Sequence, residues 1–125
     1  MNIELKNFEL INMKINESNV TIMTQDMDKS IQFYESIGLT LKQRWDNHYA
    51  MVSGPGVTLG IHPSEEKVEG SGSISIGFMV DNFDDVKNLL EKNGIKFDTA
   101  DGKSGTYAHF KDPDGTVLYF VKPKW

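Results

Sequence analysis

His48, His62 and His109 are the side chains of this sequence that can exchange a proton near neutrality or hold a borderline metal ion. They come from three separate strand-like stretches without a ligand spacing, so no ready-made metal site can be read from them. His62 closes an alternating segment beside Pro63, where it could meet a ligand as donor, acceptor or base. Trp45, Tyr49, Tyr119 and Trp125 offer flat surfaces with polar tips, suited to stacking on a planar or cationic molecule. Asp26, Asp28, Asp81, Asp84 and Asp85 resemble a carboxylate cluster, but they recur where a strand gives way to a helix. Capping and a favourable place beside the helix dipole account for them. No Ser-His-Asp set, phosphate loop or dinucleotide fingerprint is present, and the GSGS at 70–73 precedes a strand where such a loop would open a helix. With no cysteine, disulfides, thiolate metal sites and a thiol nucleophile are excluded.

The elements that must carry these groups follow from periodicity. NVTIMT, from Asn19, alternates Val20 and Ile22 against Asn19, Thr21 and Met23, the pattern of a strand with two unlike faces. DMDKSIQFYESIG follows as a short amphipathic helix with Ile31, Tyr34 and Ile37 near one face, Asp28 as the expected N-cap and Gly38 at its end. The same order returns as ISIGFMV and FDDVKNLLEKNG, with Val86, Leu89 and Leu90 on one helical face. Asn19 and Ser75, Asp28 and Asp84, and Gly38 and Gly94 are each 56 residues apart, which is an internal repeat. LTLKQRW, HYAMVSG and VTLGIHP complete the first half; IKFDTA, TYAHFKD and TVLYFVKP complete the second.

The expected fold is therefore α+β: two tandem βαβββ modules, residues 19–63 and 74–123, forming a curled mixed sheet with helices on its convex face. Residues 1–18 read as a leading arm carrying Ile3, Leu5, Phe8, Leu10, Ile11 and Met13, and 19–125 as one domain. The polar, glycine-rich segment 64–73 connects the modules. Asp112-Pro113-Asp114-Gly115 meets the requirements of a type I turn at each position and reads as structural.

Strand parity then separates two rows. Val20, Ile22, Val57, Leu59, Ile61, Ile76, Phe78, Val80, Leu118 and Phe120 form the helix-covered core. The opposite row, with Asn19, Thr21, Met23, Thr58, Gly60, His62, Ser75, Gly77, Met79, Val117, Tyr119 and Val121, mixes small, polar and flexible side chains. That composition suits a cavity wall better than a tight core.

Two βαβββ halves, FYESIGL after the first strand, NGIKF after the second helix and FKDPDGTVLYF near the end resemble the vicinal oxygen chelate superfamily of glyoxalase I, bleomycin-resistance proteins and extradiol dioxygenases. The resemblance spans roughly residues 19 to 123 and speaks for fold more than activity, because this fold serves lyases, epimerases, dioxygenases and drug-sequestering proteins. In metal-dependent members a His or Gln opens each half's first strand and a Glu or His lies in each half's last strand. Those places fall here at Asn19, Ser75, Gly60 and Tyr119, which cannot assemble the usual nitrogen and carboxylate set. Tyr119, a neutral phenol standing where the carboxylate would be, reads as a pocket residue.

The resemblance thus implies a metal-free binding protein without cofactor, sequestering a small aromatic or cationic ligand. Its wall residues would be Thr21, Trp45, Tyr49, Thr58, His62, Ser75, Met79 and Tyr119, and a homodimer would complete the cavity. The alternative is a glyoxalase-like lyase, isomerase or dioxygenase with a displaced divalent-metal site involving His62 and His109. A net charge of −5 disfavours nucleic acid, because counterion release could not drive binding. No apolar run approaches the ~20 residues needed to span a bilayer, so no membrane partner and a cytoplasmic location are expected.

Overall fold

The computed structural model describes residues 14–70 and 74–124. Ten elements follow in βαβββ order twice: β1 (Val20–Thr24), α1 (Met27–Ser36), β2 (Thr40–Trp45), β3 (Tyr49–Gly54) and β4 (Val57–Pro63), then β5 (Ser75–Met79), α2 (Phe83–Lys92), β6 (Phe97–Asp101), β7 (Gly105–Lys111) and β8 (Val117–Pro123). The α+β class and the two modules are as the sequence predicts. The strands divide into two four-stranded sheets, one per module, ordered β1-β4-β3-β2 and β5-β8-β7-β6. In each, the first strand runs parallel to the last and the remaining pairs are antiparallel, since the helix supplies the long crossover that a parallel pair requires.

Both helices begin on a capping side chain two residues earlier than the aspartate spacing suggests. The Asp26 carboxylate accepts from the Lys29 amide, and Asn82 Oδ1 accepts from the amides of Asp84 and Asp85. Asp28 is therefore not the cap. It lies in the first turn of α1 and pairs with Arg44 at 2.7 Å. Asp26 and Asn82 keep the 56-residue offset, so the repeat holds while the cap moves. Past each helix the chain turns at a glycine in the left-handed region, Gly38 at φ 111° and Gly94 at φ 67°.

The buried faces of both modules merge into one core. Ile31 and Tyr34 of α1 meet Ala50, Val52, Leu59 and Ile61, and the cluster continues through Phe110, Leu118 and Phe120 to Val86 and Leu90 of α2. Each fully enclosed aliphatic side chain, such as Leu59 or Leu118, contributes about 2 kcal/mol by leaving water. Val20 departs from the expected core: as the first residue of an edge strand it stays 42% exposed.

The DPDG turn ties the modules together. The Gly115 amide donates to the Asp112 carbonyl (3.1 Å), closing the turn as its residue types require. Asp112 Oδ1 accepts from the amides of Asp114 (2.9 Å) and Thr116 (2.7 Å), while Oδ2 accepts from the Tyr34 hydroxyl of α1 at 2.7 Å. Asp114 reaches the other module too, accepting from Thr24 Oγ1 (2.6 Å) and the Gln25 amide (3.1 Å). The connector is held on the same side, the Ser64 amide donating to the Thr24 carbonyl. Among the described residues no helix is long and apolar enough to cross a membrane.

Candidate functional site

Strand register turns the uncovered face of each sheet into a grid of side chains. On the first sheet, one row across the strands holds Met23, His62, Tyr49 and Trp45, and the next holds Thr21, Gly60, Met51 and Gln43. On the second, Met79, Val121, Tyr107 and Ala100 form one row and Gly77, Tyr119, His109 and Asp98 the next. Alternation puts these on the side away from the helices, because neighbours such as Ile22, Val52, Leu59, Leu118 and Phe120 are buried against them.

Each face is dominated by a tyrosine lying across a glycine. The Tyr49 ring leans over Gly60, where a Cβ would run into its hydroxyl. That hydroxyl accepts from Asn19 Nδ2 (3.1 Å) and lies 3.3 Å from Thr21 Oγ1. Trp45 and His62 flank the ring, with centroids 5.8 and 6.4 Å away. The His62 Nδ1 is 2.8 Å from the Pro63 carbonyl, which can only accept, so this nitrogen is the donor of the pair. Tyr119 covers Gly77 in the same way, wedged against Tyr107 (5.8 Å) and His109 (5.7 Å). Tyr107 stacks on His109 with an interplanar angle of 13°, and its hydroxyl is 2.7 Å from Ser104 Oγ.

Of the sequence-expected wall residues, Thr21, Trp45, Tyr49 and His62 stand together on the first face. Thr58 lies farther along β4 and lines a hollow of 320 Å³ with Asn19, Gln43 and Met51. Ser75, Met79 and Tyr119 belong to the second face, where Met79 is 71% exposed. The two groups do not converge within one chain, because the covered faces share one core and the open faces look outward from it. Among the described residues, each open-face ring packs only on rings of its own sheet. Trp125 and residues 1–13 of the arm lie outside the described residues. Tyr107, the partner of Tyr119, is absent from the expected wall although the repeat signals it: the Tyr-Ala pair at 49–50 returns at 107–108.

A divalent metal does not fit the four residues that the resemblance puts at its ligand positions. The Asn19 amide already donates to Tyr49, Gly60 has neither a donor nor room for one beneath that ring, Ser75 offers a hydroxyl, and Tyr119 a phenol inside an aromatic cluster. Among the described residues no three His, Asp or Glu gather to hold an ion. His62 and His109 stand on different sheets, so within one chain they do not form the displaced site.

Gly77→Ala tests the tyrosine-over-glycine arrangement. The new methyl group would collide with the Tyr119 ring, which Tyr107 and His109 prevent from simply swinging aside. The expected result is a stability loss of about 1–3 kcal/mol by overpacking, with a changed near-ultraviolet circular dichroism band from the displaced tyrosine. An unaltered band and melting temperature would contradict the packing described.

Comparison with known proteins agrees with this architecture. The Glyoxalase/Bleomycin resistance protein/Dioxygenase superfamily profile matches residues 18–120. An uncharacterized protein of Mycolicibacterium smegmatis is 32% identical over 76 residues, 60% of this chain and 64% of that one, so the match spans less than two thirds of the relative's length. Among solved structures, the fosfomycin resistance protein FosX from Listeria monocytogenes superimposes with a TM-score of 0.74 at 14% identity, covering 90% of this chain and 94% of that one. A bleomycin-binding protein solved with bleomycin gives 0.65 at 20% identity, covering 88% of this chain and 100% of that one. At these identities the structural likeness speaks for the fold, and the profile match over most of the length speaks for descent. The chain belongs to the Glyoxalase/Bleomycin resistance protein/Dioxygenase superfamily.

Proposed function

We propose that this protein binds and sequesters a small aromatic or cationic organic molecule without a metal ion, working in the cytoplasm as a homodimer. The open face of one module would meet that of the partner's other module across the ligand. The observation that carries this reading is the replacement of the metal positions: Asn19, Gly60, Ser75 and Tyr119 stand there, with Tyr49 and Tyr119 lying across Gly60 and Gly77. Aromatic rings with free edges and flexible thioethers make a surface that takes flat or cationic molecules by stacking and cation–π attraction. Met23 (41% exposed), Trp45 (43%) and Met79 are apolar groups left on these faces, which favours covering them with a ligand and a second subunit. The bleomycin-binding neighbour supports small-molecule capture as a use of this fold.

Native mass spectrometry of protein purified without chelator tests the reading. The expected spectrum is a dimer carrying a co-purified organic mass, with divalent metal well below one equivalent. Stoichiometric nickel, zinc, iron or manganese that disappears in His62→Ala would replace this reading with the metal-dependent enzyme.

A further inference from the structure

The hollow of 320 Å³ that continues the first open face past Met51 is charged, whereas the rows nearer His62 carry no Lys, Arg, Asp or Glu. Its size is within the usual range for a small-molecule site. Glu17 and Lys42 stand on its walls, and neither is in an ion pair among the described residues. Ser18, Gln43 and Thr58 line it too, their side chains without a hydrogen bond among the described residues, and Asn19 keeps Oδ1 as an acceptor after donating through Nδ2.

A β-bulge arranges this wall. Leu41 faces Val52 and Gln43 faces Met51, so Lys42 is one residue more than β3 has partners for, and from Gln43 onward the alternation of β2 is inverted. In a regular ladder Lys42 would face Met51, Gln43 would face the buried Ala50, and Trp45 would turn towards the helix. With the extra residue, Gln43 and Trp45 join Lys42 on the open side, and Arg44 turns to α1, where it pairs with Asp28. The matching pair in the second module, β6 and β7, runs from Phe97 opposite Phe110 to Asp101 opposite Thr106 without a shift. The fold itself therefore does not require the bulge. An extra residue leaves a ladder locally unpaired, and bulges are frequent where they re-aim side chains beside a functional site.

We propose, resting on the sequestering role above, that the molecule held by the first face is an aromatic α-amino acid, with its carboxylate on Lys42 and its ammonium on Glu17. Trp45 is two residues beyond Gln43 on the same side of β2, about 7 Å along the strand, and it faces Tyr49. The head group fills the charged hollow while the ring passes over Met51 towards Trp45 and Tyr49, which stack on it. Carboxylate and ammonium each gain a charge-assisted hydrogen bond, and two opposite charges that stand apart on the protein are joined through the ligand.

Isothermal titration calorimetry tests this with L-phenylalanine, with N-acetyl-L-phenylalanine, which lacks the ammonium, and with L-phenylalaninamide, which lacks the carboxylate. The expected result is one saturable phenylalanine equivalent per chain, bound about tenfold or more tighter than either derivative. Lys42→Gln should weaken phenylalanine about tenfold and leave the amide within a factor of about two. Glu17→Gln should weaken phenylalanine as much and spare the N-acetyl derivative. Both side chains are exposed, so each variant should melt close to the parent. The proposal is overturned by absent saturable phenylalanine binding, or by affinities that ignore both substitutions. Tight amide binding untouched by Glu17→Gln would also overturn it, while leaving the sequestering of aromatic cations in place. A co-purified mass that is not an amino acid would do the same.

Discussion

Asp112→Ala should lower the unfolding free energy by about 3–5 kcal/mol, enough to bring the melting temperature down by roughly 15 °C in a domain of this size. Asp112 is buried, and its carboxylate is the shared acceptor for three donors: the Tyr34 hydroxyl and the amides of Asp114 and Thr116. Alanine leaves all three without a partner in a place water cannot easily reach, and each orphaned donor costs about 1–3 kcal/mol. Because Tyr34 belongs to α1 and the two amides to the turn before β8, the change also loosens the junction between modules. Asp112→Asn is the informative control. Its carbonyl oxygen can still accept from the two amides, but its NH₂ cannot accept from Tyr34, so a loss of about 1–2 kcal/mol is expected. Chemical denaturation of the three proteins measures the series; equal stability of the alanine variant and the parent would show that the turn does not hold the halves together.

Tyr34→Phe should abolish a steep loss of stability in alkali that the parent protein shows. In the unfolded chain a tyrosine phenol titrates near ~10. In the folded protein burial, reinforced by the facing Asp112 carboxylate, pushes Tyr34 far above that value. A group raised in this way lends its full stability below the unfolded value and loses it as pH climbs beyond. Above pH ~10 the unfolded state releases a proton that the folded state keeps, and stability falls by about 1.4 kcal/mol per pH unit. The difference between parent and Tyr34→Phe should therefore be constant from neutrality to about pH 10, favouring the parent by about 1–3 kcal/mol for the hydrogen bond, and then shrink at that slope. Urea unfolding from pH 7 to 11.5 gives the comparison; a difference that stays flat through pH 11 would mean that Tyr34 is not held protonated.

Periodicity was enough to read the scaffold, because strand and helix repeats reflect which side of an element loses contact with water. The parity rows show this: Ile22, Leu59, Ile61, Leu118 and Phe120 are buried, as their alternation requires, and Val20 escapes only because it begins an edge strand. The helix caps were displaced by two residues, since Asp26 and Asp28 satisfy the same compositional signal and only backbone geometry chooses between them. The DPDG segment was legible as a turn, but nothing local to it says that its two aspartates reach Tyr34, Thr24 and Gln25, from 78 to 90 residues away in the other module.

The candidate site divides along the same line. Residue identity alone carried the expectation that the places the resemblance assigns to metal ligands, Asn19, Gly60, Ser75 and Tyr119, lack the usual donor set, because ligand chemistry is a property of the side chain wherever the chain puts it. Folding supplied the tyrosines lying over Gly60 and Gly77, the Tyr107–His109–Tyr119 cluster and the outward aim of the two open faces. These depend on which strands become neighbours and on how two amphipathic sheets share a single core, and such long-range packing leaves no trace in the spacing of nearby residues.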